Sequence, residues 1–460
     1  MLLKAMYTTN IRVYLCFIFI KEGDVLKIAI VSDDLTGAND TGVQLAKRGF
    51  STVVHFGMEL ALEEIEACDV HVFDTDSRAL EPAAAYGKVY ELANALQSGP
   101  PFDIVYKKID STLRGNLGAE LDAMYDAFRP DFAVIAPSFP KNGRCIIGGI
   151  LFIDGVPVSQ TEVAKDPKTP VTESFLPRLL GAQTAKRVGH VTLEQLRHKE
   201  TLADRLEQFI QDETPYVVFD SESEGDLELI AQAMSASAYS AIWVGSAGLA
   251  FHLAGGTEIG GFADESQGDE SDYNEQVLLV VGSVSGKSRG QLEQALARTD
   301  TAGVELEASR VAGDDSERAE EITRVLALVE AAAASKCHVA LYSSGRREQI
   351  AEAVAAGRRF NRDERAVSQL VADTLGEIAA RAARSGGIKR LVLTGGDTAK
   401  QVLLRLGCER LELLAEVEPG IPLGRSAAAD GQALYAVTKA GSFGSATALS
   451  DAMDLLLKIK

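Results

Sequence analysis

Five short apolar runs, Lys27–Ser32, Thr52–Phe56, Val70–Phe73, Ile104–Tyr106 and Phe132–Ala136, alternate with helical patterns such as Pro82–Leu96 and Gly118–Phe128. This rhythm argues for a parallel sheet with helices on both faces. Open sheets of that kind bind ligands outside the carboxyl ends of their strands, so the residues that follow each run are the ones to inspect. The first run stops at Asp33 and Asp34, inside VSDDLTGANDTGVQ (Val31–Gln44). A short helix is expected to begin near Asp40, a good N-cap, and to end at Gly49. Taken alone, Asp33 or Asp34 serves equally well as a turn-capping residue.

Behind Val70–Phe73 stand Asp74, Asp76, Ser77 and Arg78. Behind Ile104–Tyr106 stand Lys107, Lys108, Ile109, Asp110, Ser111 and Thr112, with Arg114 and Asn116 close by. Behind Phe132–Ala136 come Pro137, Pro140, Lys141, Asn142 and Arg144. Any one of these clusters is more often a solvated loop than a site, but a parallel sheet would put all four on one edge. Arg78, Lys108 and Arg114 suit a carboxylate, which an arginine fork can hold bidentately. Asp34, Asp76, Asp110 and Ser111 suit hydroxyl groups, so a small polyhydroxy acid meets both demands. His71 reads as a strand residue and Cys145 as a buried thiol. Leu151–Thr172, with a turn at Asp154-Gly155, reads as a hairpin and an exposed loop.

A chain of 460 residues exceeds what one core usually supports. Gly255–Gln276, rich in Gly, Ser, Asp and Glu, is the natural linker. The expected division is an N-terminal extension (1–26), a first domain (27–254), the linker (255–276) and a second domain (277–460). The net charge of −20, from 46 basic and 66 acidic side chains, argues against nucleic acid as a partner while leaving room for a local anion pocket. The five cysteines show no zinc spacing, which points to a reducing cytoplasm. Ile11–Ile20 is too short to span a bilayer, and Lys21-Glu-Gly-Asp follows where small residues would make a cleavage site. No membrane association is expected.

After the linker the alternation resumes, with strands at Val277–Val281, His338–Tyr342 and Arg390–Leu393 and helices from about Gly290 and over Ala366–Ala383. Three glycine turns stand out. Gly282-Ser-Val-Ser285-Gly286-Lys287-Ser288 is one residue short of the Walker A spacing. Thr394-Gly395-Gly396-Asp397-Thr398 precedes a helix expected at Ala399–Leu406, and Lys439-Ala-Gly441-Ser-Phe-Gly444-Ser445 precedes the last helix. Small residues ahead of a helix leave backbone N–H groups open to phosphate, so the three together point to a nucleotide site. Asp397 suits Mg²⁺ held through water, or the capping of its own helix.

VSDDLTGANDTGVQ, DTDSR, KKIDSTLRGN, APSFPKNGR, TGGDTA and KAGSFG, in this order, resemble the four-carbon acid sugar kinase family from Lys27 to the C-terminus. The resemblance implies two α/β domains, each with a largely parallel sheet flanked by helices, and ligand sites at an interdomain cleft. It implies a sugar-acid-binding first domain, a nucleotide-binding second domain, and ATP with Mg²⁺ phosphorylating a terminal hydroxyl. Family substrate contacts fall on Asp34, Arg78, Lys108, Ile109, Asp110 and Ser111, and ATP contacts on Ser285, Gly395, Gly396, Asp397, Thr398 and Gly441. The strings around Asn39–Gln44 and KKIDST look closest to the D-threonate and D-erythronate kinases, with Asp34 as the group that orients the 4-hydroxyl or takes its proton. A 3-oxo-tetronate 4-kinase is the alternative, and a non-catalytic sugar-acid and ATP sensor a further one. An oxidoreductase is disfavoured because no GxGxxG follows a strand with an acidic residue about twenty positions on. The partners expected are a small sugar acid and ATP, and a homodimer is compatible with the family.

Overall fold

A computed structural model describes residues 26–56, 68–166, 169–253 and 276–459. The segment Ile11–Ile20 and all of the expected linker except Gln276 lie outside the described residues. The strands in chain order are β1 (Ile28–Ser32), β2 (Thr52–His55), β3 (Val70–Asp74), β4 (Ile104–Lys108), β5 (Phe132–Ala136), β6 (Arg144–Ile147), β7 (Ile150–Ile153), β8 (Val156–Pro157), β9 (Val188–Val191), β10 (Tyr216–Phe219) and β11 (Ala241–Gly245). They continue as β12 (Val277–Val281), β13 (Thr301–Leu306), β14 (His338–Ser343), β15 (Arg390–Thr394), β16 (Arg410–Glu418), β17 (Ile421–Ala427) and β18 (Ala433–Lys439). Helices α1 (Leu35–Ala46), α2 (Pro82–Ser98) and α3 (Leu117–Phe128) connect the first strands. Among the described residues no helix is long and apolar enough to cross a membrane.

The chain divides into two compact units, the second of which takes in Gly49–Leu60 as well as the C-terminal half. In the first unit, strands in the order β3-β1-β4-β11-β5-β10-β9 are all parallel. β1, β5 and β10 are buried along their whole length, which is why they read as unbroken apolar runs: helices cover both faces of a parallel sheet. The register lines up Asp74, Ser32, Lys108, Gly245 and Ala136 across the sheet. All four polar clusters therefore leave the same edge. The chain places β3 on one side of β1 and β4 on the other, making the carboxyl end of β1 a topological switch point. β6, β7 and β8 form a separate antiparallel sheet whose β7–β8 hairpin turns at Asp154-Gly155. Cys145, on β6, is half-buried rather than buried.

Helix α1 begins at Leu35, five residues before the expected start. Asp34 is its N-cap, its Oδ1 accepting from Gly37 N at 2.8 Å. The stretch Thr36–Thr41 is poor in helix formers, but its burial against the sheet and against the helix Ala247–Leu253 overrides that propensity.

In the second unit the parallel strands run β13-β14-β12-β15-β18, and β17, β16 and β2 extend the sheet antiparallel. The largely parallel expectation is met only in the first five. β2 forms the strand expected at Thr52–Phe56, but it pairs with β16, Arg410 opposite His55, and belongs to the second unit. Four residues, TVVH, carry no signal about which sheet they join. Val281, Thr394 and Lys439 lie side by side in register, so the three glycine turns also share one edge. Beneath them Leu279, Val281, Leu292, Val392, Leu449 and Met453 form a core cluster.

Candidate active site

At the carboxyl edge of β1, β3 and β4 the Arg78 guanidinium is held by two neighbouring carboxylates. Its Nε and Nη2 donate to Asp33 at 2.6 and 2.9 Å, and its Nη1 and Nη2 donate to Asp34 at 2.6 and 2.8 Å. Four donated bonds leave little of the fork for another anion. Asp33 is almost fully buried, whereas about a quarter of the Asp34 side chain reaches solvent, at 26% exposure. Asp34 Oδ2 has Arg78 as its one protein donor among the described residues, so a lone pair remains open.

Lys108 ends β4 beside them. Its buried Nζ donates to the Ile109 carbonyl at 3.0 Å, and no carboxylate stands within ion-pair distance among the described residues. Gly37 makes the space: a Cβ there would lie 2.7 Å from both Asp34 Oδ1 and Lys108 Nζ. Lys107, by contrast, points inward to Glu120 Oε2 at 2.7 Å, and Glu120 Oε1 accepts from Ser77 at 2.7 Å. That ion pair underlies the cluster and fixes the ends of β3 and β4.

The adjacent carboxylates are driven apart. Burial disfavours charge on Asp33, but Arg78, with Lys107 and Lys108, holds its carboxyl below the ordinary range. Burial lifts Asp34 above that range; Arg78 opposes the rise, and the Asp33 and Asp110 charges add to it. Asp110 has a different part. Its Oδ2 accepts from Arg114 Nε at 2.7 Å and from Thr112 Oγ1, and Oδ1 accepts from Arg114 Nη2 at 3.2 Å. Despite burial, Arg114 and Arg78 hold Asp110 well below the carboxylate range. Arg114 also reaches Asp166 at 3.3 Å. Ser111 is half-buried and makes no side-chain hydrogen bond among the described residues.

In the second unit the three glycine turns are knitted together. Ser285 caps the helix Gly286–Leu296, accepting from Ser288 N at 3.1 Å, and donates to the Gly441 carbonyl at 2.6 Å. Gly395 caps the helix Gly396–Arg405 at φ +101°, a backbone conformation that favours glycine. A Cβ on Gly282 would overlap Thr398 Oγ1, and one on Gly441 would overlap Ser283 Oγ. Both helices start nearer the turns than the sequence patterns suggest, so two helix N-termini open at the same edge. Asp397 is an exposed first-turn residue and not the cap. Among the described residues no group of three His, Cys, Asp or Glu side chains is placed to hold a metal.

Ser285, Gly395, Gly396, Asp397, Thr398 and Gly441 thus gather at one edge of one unit, and Asp34, Arg78, Lys108, Ile109, Asp110 and Ser111 at one edge of the other. Sequence reasoning passed over Asp33 as a partner of Arg78, and also the hairpin β16–β17, whose Glu418 accepts from Ser445 N and Oγ at 2.6 and 2.7 Å. The Pro419-Gly420 turn between alternating strands was the available signal for that hairpin.

Two family models match the chain: a sugar-binding N-terminal domain over residues 28–253 and a nucleotide-binding C-terminal domain over 278–449. A D-threonate kinase of Salmonella typhimurium is 35% identical over 93% of this chain and 98% of its own length. A D-erythronate kinase of Heliobacterium modesticaldum is 32% identical over 94% and 97%, and a 3-oxo-tetronate kinase of Methylobacterium radiotolerans is 28% identical over 94% and 99%. Among solved structures, one described as a putative tRNA synthase of Salmonella typhimurium LT2 matches with a TM-score of 0.73 at 25% identity, covering 93% of this chain and 98% of that one. The chain belongs to the four-carbon acid sugar kinase family, whose ATP-dependent enzymes phosphorylate sugar acids.

Proposed function

We propose that this protein transfers the γ-phosphoryl group of ATP to the 4-hydroxyl of D-threonate or D-erythronate. The observation that carries the reading is the joint placement of Lys108, a buried cation with no carboxylate within ion-pair distance among the described residues, and Asp34, a carboxylate with an open lone pair. Lys108 takes the acid's carboxylate, Ser111 faces its hydroxyls, and Asp34 accepts the proton of the attacking 4-hydroxyl. Arg78, committed to Asp33 and Asp34, orients the base. Phosphoryl transfer asks mainly for positioning and charge neutralisation, which the glycine turns supply through backbone N–H groups. Sites at an interdomain cleft are part of this proposal.

Mg²⁺ bound with a nucleotide keeps several waters and needs only one or two protein carboxylates, and Asp397 would supply one. When bound it neutralises phosphate charge. The relatives' names leave D-threonate, D-erythronate and 3-oxo-tetronates in contention. An ADP-release assay across these acids should give the highest kcat/KM with D-threonate or D-erythronate. Release with none of them would refute the proposal.

Lys108→Met removes the ammonium while filling most of its volume. The acid's KM is expected to rise roughly 10- to 100-fold, the loss of a charge-assisted hydrogen bond, with the KM for ATP unmoved. An unchanged acid KM in steady-state assays would take Lys108 out of substrate binding.

A further inference from the structure

We infer that Lys439 is a positioning residue for the nucleotide: it shapes the Ala440–Gly444 turn into an anion-binding nest without itself touching the phosphates. The inference rests on the reading that this turn holds ATP. Lys439 is buried at the end of β18, and its Nζ, with three N–H donors to share, lies within hydrogen-bond distance of the carbonyls of Ala440 at 2.8 Å, Phe443 at 3.2 Å and Gly441 at 3.3 Å, and of Ser288 Oγ at 3.4 Å. Ser285 and Ser288 add donors to Gly441 O at 2.6 and 2.8 Å, and Gln291 adds one to Phe443 O at 3.0 Å.

Peptide geometry then fixes the other side of the turn. In a planar trans peptide the N–H points away from the C=O. Gathering the carbonyls of residues 440, 441 and 443 around one ammonium turns the N–H groups of Gly441, Ser442 and Gly444 away from it. These three amides have no protein acceptor among the described residues, whereas Phe443 N is spent on Ala440 O. Convergent free amides form the concavity that takes an anion. No carboxylate pairs with Lys439 among the described residues, so its charge also adds to the field beneath the turn. Burial, with Lys287 second, lowers its pKa to about 8.

The test is direct ATP binding by calorimetry, alongside steady-state kinetics, for the intact wild type, Lys439→Met and Lys439→Gln. Lys439→Met should weaken ATP binding on the order of tenfold or more, with the acid's KM unmoved, and Lys439→Gln, which keeps two N–H donors, should recover part of the loss. Should Lys439→Met fail to fold, the wild type still decides. Its ATP affinity should fall as pH passes about 8, while acid binding stays level. Among the described residues the other charged groups that act on Lys439 are Lys287, on the helix Gly286–Leu296, and Glu418, at the end of β16; a pH response that persists in Lys439→Gln does not come from Lys439 and overturns the inference. Equal ATP affinity in all three proteins also overturns it and leaves the proposed function standing. A wild type that binds no ATP overturns both.

Discussion

Asp34→Asn is expected to lower kcat by roughly two to four orders of magnitude, the range that a positioned general base contributes. The substitution is narrow. Asparagine is as good an N-cap as aspartate, so the bond from Gly37 N survives and α1 keeps its start. Arg78 retains its two bonds to Asp33. What disappears is one negative charge, the proton acceptor and the bond that Arg78 Nη1 donates to Oδ2, so kcat should fall far more than the acid's KM or the Tm moves. The wild-type pH profile adds a second check. Because burial raises the Asp34 carboxyl, activity should fall on the acid side at a pH above the ordinary carboxylate range, and that limb should be missing from the residual rate of Asp34→Asn. A kcat within a few-fold of wild type would remove Asp34 from the proton transfer.

Arg78→Met should be the most damaging change to stability. It leaves Asp33, buried, and Asp34, half-buried, side by side without the guanidinium that both share. Breaking a buried ion pair from one side costs roughly 3–5 kcal/mol. The sign of its pH dependence follows from linkage. Asp33 is held below its unfolded value, so its contribution is present above the unfolded carboxylate pKa and lost as pH falls through the folded one. Without Arg78, burial and mutual repulsion raise the pair instead, so the variant is penalised most at neutral pH and regains stability as one carboxylate takes up a proton. Urea denaturation should show the gap to wild type narrowing between neutral pH and about pH 5. A gap that stays constant with pH would contradict this account of the cluster.

Much of this was legible because the fold is a parallel one. Apolar runs announced β1, β3, β4 and β5, and in a parallel sheet the residues that follow such runs must share an edge, so Asp34, Arg78 and Lys108 could be grouped before any coordinates. The pairing inside the group could not. Nothing local says that Arg78 spends its fork on Asp33 and Asp34 and leaves Lys108 as the open cation; that depends on register and on the gap at Gly37. The start of α1 was misplaced because Asp34 caps it in a stretch whose propensities argue against helix. The pairing of β2 with β16 had no local signal either, because strand pattern does not encode strand partner. In the second unit the glycine turns were visible as composition, but the clasp of Lys439 on its own turn required the backbone.

The central claim is that a four-carbon acid receives phosphate at its terminal hydroxyl, opposite the carboxylate held by Lys108. ³¹P NMR of the products formed when D-threonate and D-erythronate are each incubated with ATP tests it most directly. A phosphate ester split into a triplet by the two protons on C4 is the expected result; a doublet, from an ester on C2 or C3, or no ester signal at all would contradict it.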